Sequence, residues 1–309
     1  MNSRSIQAPG AVVVIRPHRF HPNPETASDN VFQRTDAKRT DKQTAEDAYR
    51  EVSEAALQLE REGVLVHIFE DHGEKETPDS VFPNNWFSTH PGGHIAVYPM
   101  YSPSRRRERR YDILEMLKAE YRVQDIIDYS CLEYDGLFLE GTGAMVLDHL
   151  DRVAYTARSN RADPIALERF CTHFNFEPMA FDAVDPNGRS VYHTNVMMCI
   201  GTDFALVGFD LISDKSRRDE IHARLQGMGR DVIELDNHQI DEFAGNAIEL
   251  FTGKKRILAM SSRAFAALLP EQKRAIEKSA QIVALSVPTI ELAGGSIRCM
   301  LAGIHLTRR

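Results

Sequence analysis

A chain of 309 residues with a net charge of -8 can bury a sizeable core, and its mild acidity argues against nucleic acid or an anionic membrane as a partner, since both select basic surfaces. At 42% hydrophobic and 27% charged the composition is that of a soluble globular protein, and neither a run of roughly 18 apolar residues nor an apolar signal core at the start is present, so a cytoplasmic location is expected. Four cysteines (Cys131, Cys171, Cys199, Cys299) stand far apart without a Cys-x-x-Cys pair, which speaks against a zinc ribbon or a dense disulfide framework.

Residues 11–15 (Ala-Val-Val-Val-Ile) read as a buried strand, and the three prolines of the next segment, Pro17, Pro22 and Pro24, forbid regular structure there. A long polar loop after a core strand is a common place for a lid or a binding segment. From Asp41 to Glu62, Ala45, Ala48, Val52, Ala55 and Leu59 step by three and four and Gly63 follows as a stop, which predicts a one-faced helix. A strand over 64–69 follows, then a loop over 71–80 leading into Val-Phe-Pro-Asn-Asn-Trp-Phe (81–87). His90 and His94 flank Pro-Gly-Gly and are expected in a solvated loop rather than around a metal.

Further along, a strand over 94–99 precedes a helix over about 104–121, with Ile113, Met116 and Leu117 on one side. Strands over 138–147 and 153–155 lead to a helix started by Asp163-Pro164. Strands over 191–200 and 204–212 precede a helix over 214–228, and strands over 231–235 and 257–260 lead to a helix over 262–280, with a short helix near 239–244. Amphipathic helices thus start every roughly 50 to 60 residues, the spacing of a repeated unit, and five such units suggest a closed ring. No Gly-x-Gly-x-x-Gly follows the first strand and no linker divides the chain, so residues 1–309 read as one domain and a nucleotide-binding sheet is the weaker reading.

Three side chains suit a cysteine hydrolase, which needs a nucleophilic thiolate, an imidazole to carry protons and a carboxylate to hold substrate or imidazole. Cys299 follows Gly294-Gly295 at the mouth of a closing strand; glycine there lets backbone approach a ligand closely. His193 opens an apolar strand in Tyr-His-Thr-Asn, and Glu140 sits among apolar residues in Leu-Glu-Gly-Thr-Gly. A lone cysteine or histidine is usually a core residue, but a carboxylate in an apolar strand needs a partner or a task. The loop Asp79 to Trp86 concentrates hydrogen-bonding groups, among them Asn84 and Asn85, beside the sole tryptophan. Arg105, Arg106 and Arg107 open a helix against its dipole, mostly as a solvated face, though an arginine kept there suits a carboxylate anchor, and Arg158 follows a strand.

Together, Cys299 after a glycine pair, His193, Glu140 and the five βα units resemble the pentein superfamily of amidinotransferases, arginine deiminases and dimethylarginine dimethylaminohydrolases. Pro-Asp-Ser-Val-Phe-Pro-Asn-Asn is similar to the Pro-Asp-Ser-Val-Phe-Val-Glu-Asp of the dimethylarginine hydrolases, and Ser-Arg-Arg and Ala-Arg-Ser-Asn resemble further segments of theirs in the same order. The resemblance implies an α/β fold, a five-bladed pseudo-symmetric propeller of ββαβ units around a central site, with no metal or organic cofactor. Carried over by position, Cys299 is the nucleophile, His193 the proton shuttle and Glu140 the carboxylate on the substrate's terminal nitrogens; Asp79 meets the substrate's polar head, and Arg105 and Arg158 its carboxylate.

One departure bears on substrate. Asn84-Asn85 replaces Glu-Asp, and two amides, which both donate and accept, suit a neutral ureido group better than a guanidinium cation. With Arg-Pro-His-Arg-Phe-His-Pro-Asn-Pro-Glu-Thr near the start, the chain looks most like the bacterial citrulline-utilisation hydrolases. The expectation is a hydrolase that cleaves citrulline to ornithine, ammonia and CO2 through an S-carbamoyl or S-amidino cysteine. Dimethylarginine hydrolysis, arginine deimination and amidino transfer are the alternatives, and a non-catalytic pentein binding module is the rival of another class. The expected partner is a small amino acid of the citrulline or arginine type, with homo-oligomerisation left open.

Overall fold

In a computed structural model that describes residues 5–34 and 39–309, strands β1 (Ala11–Pro17) and β2 (Leu65–Asp71) run parallel, joined by the helix Asp41–Glu62. That helix starts on a capping box of Thr40 and Gln43 and stops at Gly63, whose φ of 100° lies in the left-handed region. It buries Ala48, Val52, Ala55 and Leu59 of the stripe read from the sequence against the sheet and leaves Ala45, at its start, only half-buried.

The same arrangement recurs with one strand more. β3 (Phe87–His90) and β4 (His94–Val97) form an antiparallel hairpin, and the helix Tyr111–Glu120 returns the chain to β5 (Asp125–Asp128), parallel to β4. β6 (Met145–Asp148), β7 (Val153–Ala157) and β8 (Glu177–Phe181) repeat this around the helix Pro164–Phe174, which Asp163 caps through Ile165 and Ala166 N–H. β9 (Met198–Ile200), β10 (Phe204–Val207) and β11 (Asp231–Glu234) do so around the helix Lys215–Gly227. In the last unit β12 (Ile248–Phe251), β13 (Arg256–Ser261) and β14 (Gln281–Leu285) enclose two helices, Ser262–Ala267 and Pro270–Glu277. β15 (Ala302–Gly303) then pairs antiparallel with β1, so the two ends of the chain complete the first blade. Five three-stranded sheets result, a mixed α/β architecture in which β15, β3, β6, β9 and β12 are the first strands of their blades.

Several expectations change. The helix over 104–121 is a short turn, Pro103–Arg106, followed by a separate helix, because Arg105 and Glu108 turn inward as a buried pair. Leu269-Pro270 splits the helix over 262–280, since proline cannot donate within a helix. Residues 141–144, 194–196 and 297–300 form helical turns rather than the starts of strands, so β6, β9 and β15 are shorter than expected. His90 and His94 are register partners in the β3–β4 hairpin, with His90 buried, and not a solvated loop. Among the described residues no helix is long and apolar enough to cross a membrane.

Polar groups bolt neighbouring blades together. Gln7 donates from Nε2 to Leu147 O and Ile200 O, both at 3.0 Å, and accepts from His149 N–H at 2.8 Å. Arg230 grips Asp148 with two N–H···O bonds of 2.6 and 2.8 Å, both side chains fully enclosed. Removing one partner of such a pair strands the other's charge. Arg230→Met should therefore lower unfolding free energy by about 3–5 kcal/mol in a denaturant titration.

Candidate active site

The turns that spoil the strand expectations build the site. Each inner strand is preceded by a tight turn: Pro83–Asn85 before β3, Gly141–Ala144 before β6, Thr194–Val196 before β9, Gly245-Asn246 before β12 and Ile297–Met300 before β15. Repetition around the ring brings these turns together, and with them Asn85, Glu140, His193, Asn246 and Cys299. The fit is close: a Cβ on Gly143 would lie 2.1 Å from Asn85 Nδ2 and 2.9 Å from His193 Nδ1. Thr194 Oγ1 donates to Ala144 O at 2.5 Å and accepts from Ala157 N–H at 2.7 Å, fixing the turn that carries His193.

Cys299, His193, Asp79, Asn85, Arg105 and Arg161 line a narrow cavity. The sulfur of Cys299 accepts from Asn195 Nδ2 and Asn246 Nδ2, each at 3.2 Å. Elsewhere burial pushes the thiols of Cys171 and Cys199 up to about 12, the ordinary effect of enclosure on a thiol, while Cys131 is exposed.

Glu140 lies behind the cavity wall with no exposed surface. Its Oε2 is 2.8 Å from His193 Nε2, 3.5 Å from Arg105 Nη1 and 3.6 Å from Arg161 Nη1, and Oε1 accepts from Tyr101 N–H at 3.0 Å. Burial opposes its ionisation, but Arg161, the bond to His193 and Arg105 outweigh it and hold the carboxyl well below its ordinary range. Burial likewise drives His193 down to about 4 against the pull of Glu140, so the ring is neutral near pH 7. Donation from Nε2 to Glu140 leaves Nδ1 as the free acceptor.

Two expected anchors change role. Arg105 gives Nε–H and Nη2–H to Glu108 at 2.9 Å each, Nη1–H to Asn85 Oδ1 at 2.8 Å and a second Nη2–H to Phe82 O, with its last donor facing Glu140. Its five donors are spoken for, so it positions Asn85 and keeps none for a substrate carboxylate. Arg158 is 44% exposed and paired with Asp182 at 3.1 Å, away from the cavity. Arg161, three residues on, is the buried one; it stacks over Tyr192 and is gripped by Asp29. Asn84 is enclosed beside Asn85 but off the cavity, and Asp79 lines it, its carboxyl raised by burial and bonded to Asn23 Nδ2 at 2.9 Å.

Asn195, Asn246, Arg161 and Asp29 escaped the sequence reading. For the asparagines a signal existed: like Asn84 and Asn85 they precede an inner strand by two or three residues. Nothing local marks Asp29, which belongs to the proline-rich segment after β1. That segment crosses the site through Asn23 to Asp79, Glu25 to Ser104 N–H, Asp29 to Arg161, and Asn30 to Ala293 O. Among the described residues no cluster of three or more His, Cys, Asp or Glu is placed to hold a metal ion.

Five ββαβ blades with cysteine, histidine and glutamate brought to their centre define a pentein of the guanidine-modifying kind. A family model described as N,N dimethylarginine dimethylhydrolase, eukaryotic, matches residues 16–306, and the chain belongs to that family. It is a hydrolase of non-peptide C–N bonds. No curated protein matches the chain. Among solved structures, the N-terminal domain of ArgZ, an arginine dihydrolase of cyanobacteria, bound to substrate as a cysteine-to-serine variant, is similar with a TM-score of 0.72 at 16% identity over 95% of this chain and 97% of that one. A cysteine-to-alanine variant of AgrE with L-arginine gives 0.73 at 15% identity over 97% of this chain and 40% of that one. DDAH of Pseudomonas aeruginosa complexed with citrulline gives 0.63 at 11% identity, covering 98% and 100%. At such identities the likeness is one of fold.

The depressed His193 has a measurable consequence. Between pH 6.5 and 4 the unfolded chain takes up a proton that the native ring refuses, so stability rises with pH across that window and falls as pH drops through it. In His193→Gln this part of the loss, about 3 kcal/mol, disappears, and melting temperature should decline less steeply from pH 6.5 to 4 than in the parent.

Proposed function

We propose that the chain, as one pentein catalytic unit over residues 1–309, hydrolyses citrulline at its side-chain ureido group. The observation that carries the choice of substrate is the orientation of Asn85. Its Oδ1 is taken by Arg105, which can only donate, so the amide cannot be turned over; Nδ2, buried against Gly143, is a donor without a partner on a residue that lines the cavity. A ureido oxygen accepts such a donor, whereas a guanidinium has no acceptor to offer. Citrulline in the similar Pseudomonas aeruginosa structure supports an occupant of this shape.

In this reading Cys299 Sγ attacks the ureido carbon while His193 Nδ1 takes the thiol proton and Glu140 holds the ring through Nε2. Collapse breaks the bond to the substrate's side-chain nitrogen, which receives that proton and leaves as the amine of ornithine. The S-carbamoyl cysteine remains. His193 next takes a proton from water, the oxygen attacks the carbonyl carbon, and the C–S electron pair returns to sulfur; the carbamic acid released decomposes to ammonia and CO2. Arg161, not Arg158, meets the substrate carboxylate.

Product analysis with citrulline, arginine and dimethylarginine tests this beside a Cys299→Ala control. Ornithine and ammonia from citrulline, absent in the control, are expected; citrulline formed from arginine or dimethylarginine instead would keep the nucleophile and sink the substrate. Asn85→Asp should lower kcat/KM for citrulline about 10- to 100-fold while improving arginine relative to it, because the donor is replaced by a charge. Arg161→Met should cost a similar factor, about 10- to 100-fold, largely in KM, with Arg158→Met near the parent.

A further inference from the structure

Before it takes the thiol proton, His193 offers the sulfur no positive charge. His193 commits Nε2 to Glu140 and burial keeps its ring neutral near pH 7. The sulfur's hydrogen-bond donors are instead two amides, Asn195 Nδ2 and Asn246 Nδ2, each 3.2 Å from Sγ and each on a side chain with no exposed surface. Neither lines the substrate cavity, so they reach sulfur from the protein side and stay in place when substrate fills the other. The Asn246 amide is locked: Oδ1 accepts from Arg298 N–H at 3.0 Å and Nδ2 donates also to Asn195 O at 3.1 Å. Two N–H donors converging on one sulfur suit an anion, since a neutral thiol is a weak acceptor.

We propose that Asn195 and Asn246 are catalytic residues, a two-amide cradle that steadies the Cys299 thiolate as His193 takes its proton in the attack and takes the sulfur back as a leaving group. The proposal rests on Cys299 being the nucleophile of the reaction above. In the second half-reaction the C–S bond breaks with its electron pair going to sulfur, as the oxygen of water, its proton passed to His193, bonds to the carbonyl carbon. The cradle meets the charge at the moment it returns. Blades four and five thereby contribute to the reaction through amides that touch no part of the substrate. The other charged or titratable groups facing this sulfur are Arg105, Arg161, Asp79, Tyr192 and His193 on the cavity wall, Glu140 behind it and Arg298 next in the chain. All of them are unchanged by substitution of the two asparagines.

The test follows iodoacetamide alkylation of Cys299 in the whole protein against pH, with the modified cysteine located by mass spectrometry. Asn195→Leu and Asn246→Leu should each slow alkylation at pH 7.5 about tenfold and move the rate–pH curve to higher pH. Asn246→Asp, which places a carboxylate against the sulfur, should move it further. Circular dichroism keeps unfolded variants out of the comparison, and the near-isosteric aspartate serves if a leucine variant fails to fold. Folded variants whose curves fall on the parent's would overturn the cradle, whatever their turnover, and so would a parent Cys299 that reacts no faster than exposed Cys131. Displaced curves in a protein that leaves citrulline untouched would uphold the cradle and refute only the substrate.

Discussion

A carboxylate with no exposed surface is the constraint on which this centre is built. Isolated in the interior, the charge of Glu140 would cost several kcal/mol. It is tolerable because His193, Arg105, Arg161 and the Tyr101 N–H close on it from separate parts of the chain. Those groups come from three consecutive blades, so the compensation exists only when these blades pack together. The same contacts decide the protonation of the histidine and leave Glu140 occupied with positioning, not with a substrate cation.

Compensation extends outward in a second layer. Arg105 is neutralised by Glu108 and so becomes a fixed post for Asn85, while Arg161 is matched by Asp29 from the proline-rich segment. Asp29 thus occupies the guanidinium of Arg161 that faces the cavity. That segment also holds Asp79 through Asn23 and the Ser104 N–H through Glu25. The loop therefore contributes to the electrostatics of the site as well as covering it.

Steric economy makes the arrangement feasible. Only hydrogen at Gly143 allows the Glu140 turn to press against Asn85 and His193, and a Cβ on Gly295 would lie 2.8 Å from the Phe82 ring beside Cys299. With backbones this close, one polar group serves two purposes, as Asn246 does in holding Arg298 N–H and the sulfur.

The sequence by itself determined the repeat. The stripe Ala48, Val52, Ala55 and Leu59, the Asp163 cap and the stop at Gly63 are local matters of periodicity and capping, and each reappears in the structure. Cys299, His193 and Glu140 were legible as candidates because polar groups beside glycines interrupt apolar runs, and the structure brings them to one place. Tertiary structure alone decided the rest. Arg158 and Arg161 differ in no local property, yet one faces solvent and the other a cavity, since only the position of the neighbouring blade and of Asp29 separates them. The turns at 141–144, 194–196 and 297–300 are apolar enough to read as strands; convergence at the ring centre, where a pleated strand would carry the side chain past its partners, makes them helical. A donor's direction, such as that of Asn85 Nδ2, depends on what holds the other end of its amide, and that partner lies 20 residues away in sequence.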